Sequence, residues 1–214
     1  MYKKKPFFIV FEGVEGCGKS FQSKKLLNNL KKKRIPTLLT REPGGTKSAE
    51  LIRNLILKDY FNRDSKEKFD KYTDTLLYLA ARNEHIKNKI DPALKKKTVV
   101  ICDRFTDSTL AYQVYGKNVN INFINNIHKF ILGKIKPNLT FVLKVSTETS
   151  KKRLKKRKTK NRYDNFAQNF YSRAQNSFLK IAKNKKNYFV LNSSKNDSNL
   201  EKKIFKIVSA YLKI

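Results

Sequence analysis

The sequence predicts an α/β fold: an open, doubly wound five-stranded parallel sheet with helices on both faces. Three observations predict it. Short apolar runs alternate with longer amphipathic segments along the chain. The runs are apolar throughout rather than at every second residue, as strands covered on both faces should be. The residues richest in chemistry follow the ends of those runs, where open parallel sheets bind ligands.

The first strand is read at 7–11, Phe7-Phe8-Ile9-Val10-Phe11. Residues 13–20 then read Gly-Val-Glu-Gly-Cys-Gly-Lys-Ser and satisfy G-x-x-x-x-G-K-[ST] at every position. A helix over 19–33 follows, with Leu26, Leu27 and Leu30 at helical spacing. Strand, loop and helix are the context a phosphate-binding loop requires, so the fold is read as P-loop NTPase type. Gly13, Gly16 and Gly18 let backbone N–H groups converge on phosphate oxygens. Val14, Glu15 and Cys17 occupy the positions the pattern leaves free. The helix N-terminus adds partial positive charge. Lys19 would reach the β/γ-phosphates and Ser20 would offer its hydroxyl to Mg²⁺.

The second strand is read at 35–39 and leads into Thr40-Arg41-Glu42-Pro43-Gly44-Gly45-Thr46. A helix over 48–57 carries Arg53. A longer helix over 72–89 contains Leu76-Leu77-Tyr78-Leu79-Ala80-Ala81-Arg82-Asn83-Glu84-His85. Tyr78 and Arg82 are i, i+4 neighbours on one face. They suit a ring stacked on a base with a guanidinium at the base edge. They equally suit a core tyrosine beside a surface arginine. The third strand, 98–102, is followed by Asp103-Arg104-Phe105-Thr106-Asp107-Ser108-Thr109-Leu110-Ala111-Tyr112-Gln113. An acid directly after a buried strand is where Mg²⁺ or its waters would be held. An adjacent arginine would neutralise a phosphate bidentately. A helix over 120–132, a strand at 139–143, helices over 147–155 and 166–183, a strand at 188–191 and a helix over 199–212 complete the alternation.

Residues 151–165 are almost wholly polar, with nine Lys or Arg and one Asp. A solvated helix end would look like this. So would a mobile lid that delivers cations to the γ-phosphate and keeps water out, and we read the segment as a lid on a single domain spanning 1–214. Two cysteines without a CxxC pattern argue against zinc or a disulfide framework and fit a reducing compartment. No apolar stretch approaches membrane-spanning length, and the apolar run after Lys3-Lys4-Lys5 is too short for a signal peptide. A cytoplasmic protein without membrane contact is expected. The net charge of +32 invites a nucleic-acid reading. The lysines are scattered, however, with no interleaved aromatic platform for bases. Compositional drift plus a preference for polyanionic substrates is favoured over specific nucleic-acid binding.

Four motifs, F-E-G-V-E-G-C-G-K-S, T-R-E-P-G-G-T, L-L-Y-L-A-A-R-N-E-H and D-R-F-T-D-S-T-L-A-Y-Q, in this order and spacing, closely resemble the bacterial thymidylate kinase family. The resemblance runs through essentially the whole chain. It implies phosphoryl transfer from ATP to dTMP with Mg²⁺, giving dTDP for dTTP synthesis, usually in a homodimer. By matching position, residues 13–20 would bind ATP, and Glu15 would also contact the sugar 3′-hydroxyl of dTMP. Arg53 and Arg104 would hold the acceptor phosphate. Tyr78 stands in place of the usual stacking phenylalanine, and Arg82 would bond the base edge. Ser108, Thr109 and Gln113 would line the base pocket, and Tyr112 would crowd the 2′ position. Glu42 and Asp103, with Ser20, would position Mg²⁺ or its waters, while Arg41 would support loop geometry. Lys19, Arg104 and Arg162 would carry catalysis. Gly16 stands where one branch of the family has its transferring arginine, so the lid is expected to supply that cation. Arg162 in Asn161-Arg162-Tyr163-Asp164 matches the family's D-R-x-E element imperfectly, and Arg153 or Arg157 are expected to share the role. Another small P-loop nucleotide or deoxynucleoside kinase is the alternative. A P-loop regulatory switch lacks any guanine-reading element here.

Overall fold

The computed structural model describes residues 5–57, 68–156, 168–195 and 197–214. Five strands, β1 (Phe7–Glu12), β2 (Thr37–Arg41), β3 (Val99–Asp103), β4 (Leu139–Lys144) and β5 (Tyr188–Asn192), form one sheet in the order β2-β3-β1-β4-β5. Every pairing is parallel, so each connection must cross over a face. β1 lies at the centre and is buried at all six positions. That explains why its sequence does not alternate. Ile9 and Phe11 join Leu26 and Leu30 of α1 (Lys19–Lys32) and Ile204 and Val208 of the last helix in the larger core. Phe8 and Val10 point the other way, into a second core with Val100, Ile86, Ile90 and Phe105.

The other helices are α2 (Lys47–Leu57), α3 (Lys71–His85), α4 (Asp91–Lys95), α5 (Thr106–Thr109), α6 (Tyr115–Lys117), α7 (Ile121–Leu132), α8 (Thr147–Lys155), α9 (Gln168–Ala182) and α10 (Ser198–Leu212). Caps account for several starts. The side chains of Asp70, Asn120, Ser146 and Asp197 each accept a backbone N–H from the first turn of α3, α7, α8 and α10.

Three regions differ from the sequence reading by more than a residue. β2 begins at Thr37, not 35, because Ile35 instead closes the end of α1, its N–H donating to Leu30 O. It runs on to Arg41, which pairs with Asp103 in β3. The single helix expected over 72–89 ends at His85, continues as a π-helical turn over Ile86–Ile90 and resumes as α4. Residues 106–117, read only as a motif, are helical throughout, with a π-helical turn over Leu110–Val114 between α5 and α6. Their buried face is largely polar, with Asp107, Ser108, Thr109 and Gln113 all buried, so no apolar period marked it. The part of the expected lid at 157–165, with Arg157 and Arg162, lies outside the described residues, as does the start of the helix expected at 166.

Candidate active site

β1 delivers the chain to the carboxyl edge of the sheet, and the 13–18 loop turns it into α1. The turn is too tight for side chains at two points. Gly13 has φ +135°, and a Cβ there would come within 2.6 Å of Leu143 O. Gly16 has φ +71°, and a Cβ there would meet Ser150 O at 2.9 Å. An arginine at position 16 therefore has no room beside α8. Lys19 is buried, its Nζ donating to the Gly13 and Val14 carbonyls at 2.9 Å each. Val14 and Cys17 are buried behind the loop, and burial pushes the Cys17 thiol up, so it stays protonated.

A cavity of about 620 Å³ opens over the loop. Glu15, Gly16, Gly18, Lys19 and Ser20 line one part of it. Glu42 and Arg53 line it from β2 and α2, and Tyr78 and Arg82 from α3. Asp103, Arg104, Ser108, Thr109, Tyr112 and Gln113 line it from the segment after β3. All the residues expected to bind dTMP share this one cavity, whereas Gly13, Val14 and Cys17 of the loop expected to bind ATP do not line it. Arg41, Phe21 and Arg153 line it too.

Arg104 is the hinge of the arrangement. Its φ is +73°, a left-handed conformation uncommon outside glycine. One Nη donates to Gly13 O at 2.9 Å and to Ser108 Oγ at 3.1 Å, and the other meets Glu15 Oε1 at 2.7 Å. The Tyr112 hydroxyl donates to Glu15 Oε2 at 2.7 Å. Burial would raise the Glu15 carboxyl, but Arg104, Lys19 and the Tyr112 hydroxyl outweigh it and hold the group below its ordinary value. The Tyr112 ring lies under the Arg104 guanidinium at 5.2 Å and stacks on Phe170 at 5.8 Å. Phe178 meets it edge-on. The π-helical turn over 110–114 sets Tyr112 and Gln113 where they line the cavity, a common use of such turns. Gln113 Nε2 is buried with no hydrogen-bond partner among the described residues.

Arg82 is a buried hub. Nε and one Nη reach Glu42 Oε2 at 2.8 and 2.7 Å. That Nη also donates to Phe105 O at 2.9 Å, and the other is shared between Thr109 Oγ1 at 2.7 Å and His128 Nε2 at 2.9 Å. All five of its N–H groups thus have acceptors inside the protein. Glu42 Oε1 faces His85 Nδ1 at 3.2 Å, and His85 Nε2 meets Thr40 Oγ1 at 2.7 Å. Burial alone would raise the Glu42 carboxyl. Arg82 and His85 outweigh it and hold it low, so it stays ionised. Burial and the Arg82 charge push His128 down to about 3, which leaves it neutral and accepting from Arg82.

Ser20 Oγ donates to Asp103 Oδ2 at the mouth of the loop. A hydroxyl and one carboxylate fit Mg²⁺, which keeps most of its waters and takes its other ligands from phosphates. Glu42, expected beside them, already has both oxygens engaged by Arg82 and His85. Arg53 donates to Pro43 O at 2.7 Å. Arg153, at the described end of the basic segment, donates to Gly16 O at 3.1 Å and to the Ser193 and Ser194 carbonyls at 3.0 and 2.6 Å. Sequence reasoning did not single out His85, His128 or Ser150. A lone histidine on a helix carries no signal until its neighbours are known.

A parallel β2-β3-β1-β4-β5 sheet, a glycine-rich loop entering α1 at Lys19-Ser20, and an acid ending β3 define a protein of the P-loop NTP-binding class. The sequence profile of the family Thymidylate kinase matches residues 11–204. Thymidylate kinase of Wolbachia pipientis wMel is 41% identical over 177 residues, 82% of this chain and 84% of that one. The enzyme of Mycoplasma capricolum is 36% identical over 209 residues, 96% of each chain. The crystal structure of thymidylate kinase from Ehrlichia chaffeensis superposes with a TM-score of 0.74 at 28% identity, covering 95% of this chain and 99% of that one. The chain belongs to the thymidylate kinase family, enzymes that phosphorylate dTMP to dTDP in dTTP synthesis.

Proposed function

We propose that residues 1–214 act as one kinase domain that transfers the γ-phosphoryl of Mg²⁺-bound ATP to dTMP. The observation that carries this reading is the shared cavity: the phosphate loop, Arg104 and the Tyr78–Arg82 pair all line it. Lys19 and the loop N–H groups of residues 13–20 hold the ATP phosphates. Ser20 and Asp103 hold the metal or its waters, and Glu42 serves Arg82 and His85 instead. A magnesium ion held by Ser20 and Asp103 would supply positive charge against the phosphates during transfer. Arg104 and Arg53 hold the acceptor phosphate, and Glu15 meets the sugar. Tyr78 stacks on the thymine. Arg82, its donors all engaged, holds Thr109 at the base edge, and the Gln113 amide, without a partner among the described residues, is a donor for a base carbonyl. Ser108 links Arg104 to the pocket wall, and Tyr112 closes the 2′ side.

The lid supplies the remaining cation, with Arg162 as the transferring residue. The lack of room at Gly16 supports a lid source over a loop source. Exposed Leu51 and Leu55 on α2 and Leu76 on α3 support a homodimer through these adjacent helices. Two buried, free thiols suit the reducing cytoplasm. The test is ADP release from ATP with dTMP, dUMP, UMP, CMP or AMP as acceptor. dTMP should give the highest kcat/KM. A higher value for another acceptor would move the chain to a different nucleotide. Light scattering at assay concentrations checks the dimer.

A further inference from the structure

Glu12 ends β1, is completely buried, and is not among the residues lining the cavity. Its carboxyl group nevertheless organises the turn that bears Arg104. Oε1 accepts the N–H of Phe105 at 2.8 Å and of Ser108 at 3.2 Å. Oε2 accepts the Ser108 hydroxyl at 2.6 Å, and that same oxygen, Ser108 Oγ, accepts from Arg104 Nη1 at 3.1 Å. On the other side of the turn, Arg104 N donates to Phe11 O at 2.9 Å. The left-handed Arg104 backbone is thus pinned before and after, and its guanidinium is reached through a two-bond relay.

A carboxyl group is an expensive choice for a central strand. Burial, with Asp107 nearby, pushes it up to about 8, and the contacts to Ser108, Arg104 and the Phe105 N–H only partly offset this. An apolar side chain would fill the place at less cost but would take the acceptor from the Phe105 N–H and the Ser108 hydroxyl, leaving the Ser108 N–H only its bond to Phe105 O at 3.2 Å. Nothing about sheet packing requires Glu12. The Arg104 turn does.

We propose that Glu12 is a positioning residue for the acceptor phosphate: it fixes the Arg104 turn and Ser108 Oγ so that the guanidinium is set before dTMP arrives. The inference rests on the reading that Arg104 holds that phosphate. Length is critical, because three donors converge on two oxygens of one side chain.

The test is Glu12→Asp, which keeps the carboxyl and withdraws it by one methylene. KM for dTMP should rise about tenfold or more, while KM for ATP stays within about twofold. In an Arg104→Ala background the same substitution should add nothing to KM for dTMP, because the two act through one contact chain. A rise in both KM values alike, or an undiminished effect without Arg104, would overturn the proposal. Should Glu12→Asp fail to fold, Ser108→Ala cuts the relay alone and should give the same split; no change in KM for dTMP there overturns it. If Arg104→Ala itself leaves KM for dTMP at the wild-type value, the acceptor-phosphate reading fails and this inference with it. If Arg104→Ala raises it and Glu12→Asp does not, only the positioning role falls.

Discussion

Arg104 and Glu15 form an ion pair of 2.7 Å that ties the turn after β3 to the phosphate loop. One residue belongs to the element proposed to hold the acceptor, the other to the element proposed to hold the donor. On that reading the pair sets the distance between two substrates that must meet in line.

Breaking that pair should damage the reaction in a way distinct from losing Lys19. Arg104→Ala should lower kcat and raise KM for dTMP together, because a preorganised cation is lost at the acceptor and half-buried Glu15 loses its ion-pair partner, keeping only the Tyr112 hydroxyl. Lys19→Ala should depress kcat even at saturating nucleotides. Removal of one preorganised charge donor costs roughly 3–4 kcal/mol, or about 10²–10³ in rate. Steady-state kinetics of both variants check this. A loss below about threefold in either refutes its assigned role.

Arg82 should prove as important to stability as to base choice. Its guanidinium neutralises Glu42, and both are buried. Arg82→Ala leaves that carboxylate unpaired, and breaking a buried pair on one side costs about 3–5 kcal/mol. Arg82→Lys keeps the charge but not the fork. We expect a lowered Tm for Arg82→Ala, partial recovery in Arg82→Lys, and a weakened preference for dTMP in both. A wild-type preference in Arg82→Lys would move base reading to Gln113 and Tyr78.

β1, β3 and β4 were legible because each is a short apolar run buried on both faces. The edge strands β2 and β5 are only partly buried and were legible from their place in the alternation of short apolar runs and longer amphipathic segments. The phosphate loop was legible because its pattern is local. Glu15, Arg104 and Tyr112 were legible only as motif members. That they meet through one carboxylate depends on the β1–β3 pairing, which no single stretch of sequence encodes. The polar helix over 106–117 was not read, because helical periodicity is sought in apolar residues and its buried face is largely polar. His128 was invisible for a related reason: its partner Arg82 lies 46 residues earlier.

Tyr112 should restrict the acceptor sugar by its ring and hold Glu15 by its hydroxyl, and the two roles can be separated. The ring is fixed by Phe170 and Phe178, so truncation opens space rather than letting the ring swing. Tyr112→Ala should narrow the ratio of dTMP to ribosylthymine monophosphate turnover by admitting the latter. Tyr112→Phe keeps the ring and removes only the hydrogen bond to Glu15. It should preserve the ratio while raising KM for both acceptors. An unchanged ratio in Tyr112→Ala would place the 2′ wall elsewhere.

His128 should make the fold acid-sensitive. Its value falls from 6.5 to about 3 because burial and the Arg82 guanidinium both oppose a second positive charge. The neutral ring carries its proton on Nδ1 and accepts from Arg82 at Nε2, 2.9 Å away. Below pH 6.5 the unfolded chain binds a proton at this residue that the folded chain refuses. The stability this group contributes is therefore complete above 6.5 and is lost as pH falls from there toward about 3. His128→Gln offers a carbonyl oxygen to the same Arg82 donor and does not titrate. Tm should fall more steeply with acid in the wild type than in His128→Gln, the two curves diverging below pH 6.5. Parallel curves down to about pH 4 would mean that His128 protonates without cost, and that its contact with Arg82 does not govern acid stability.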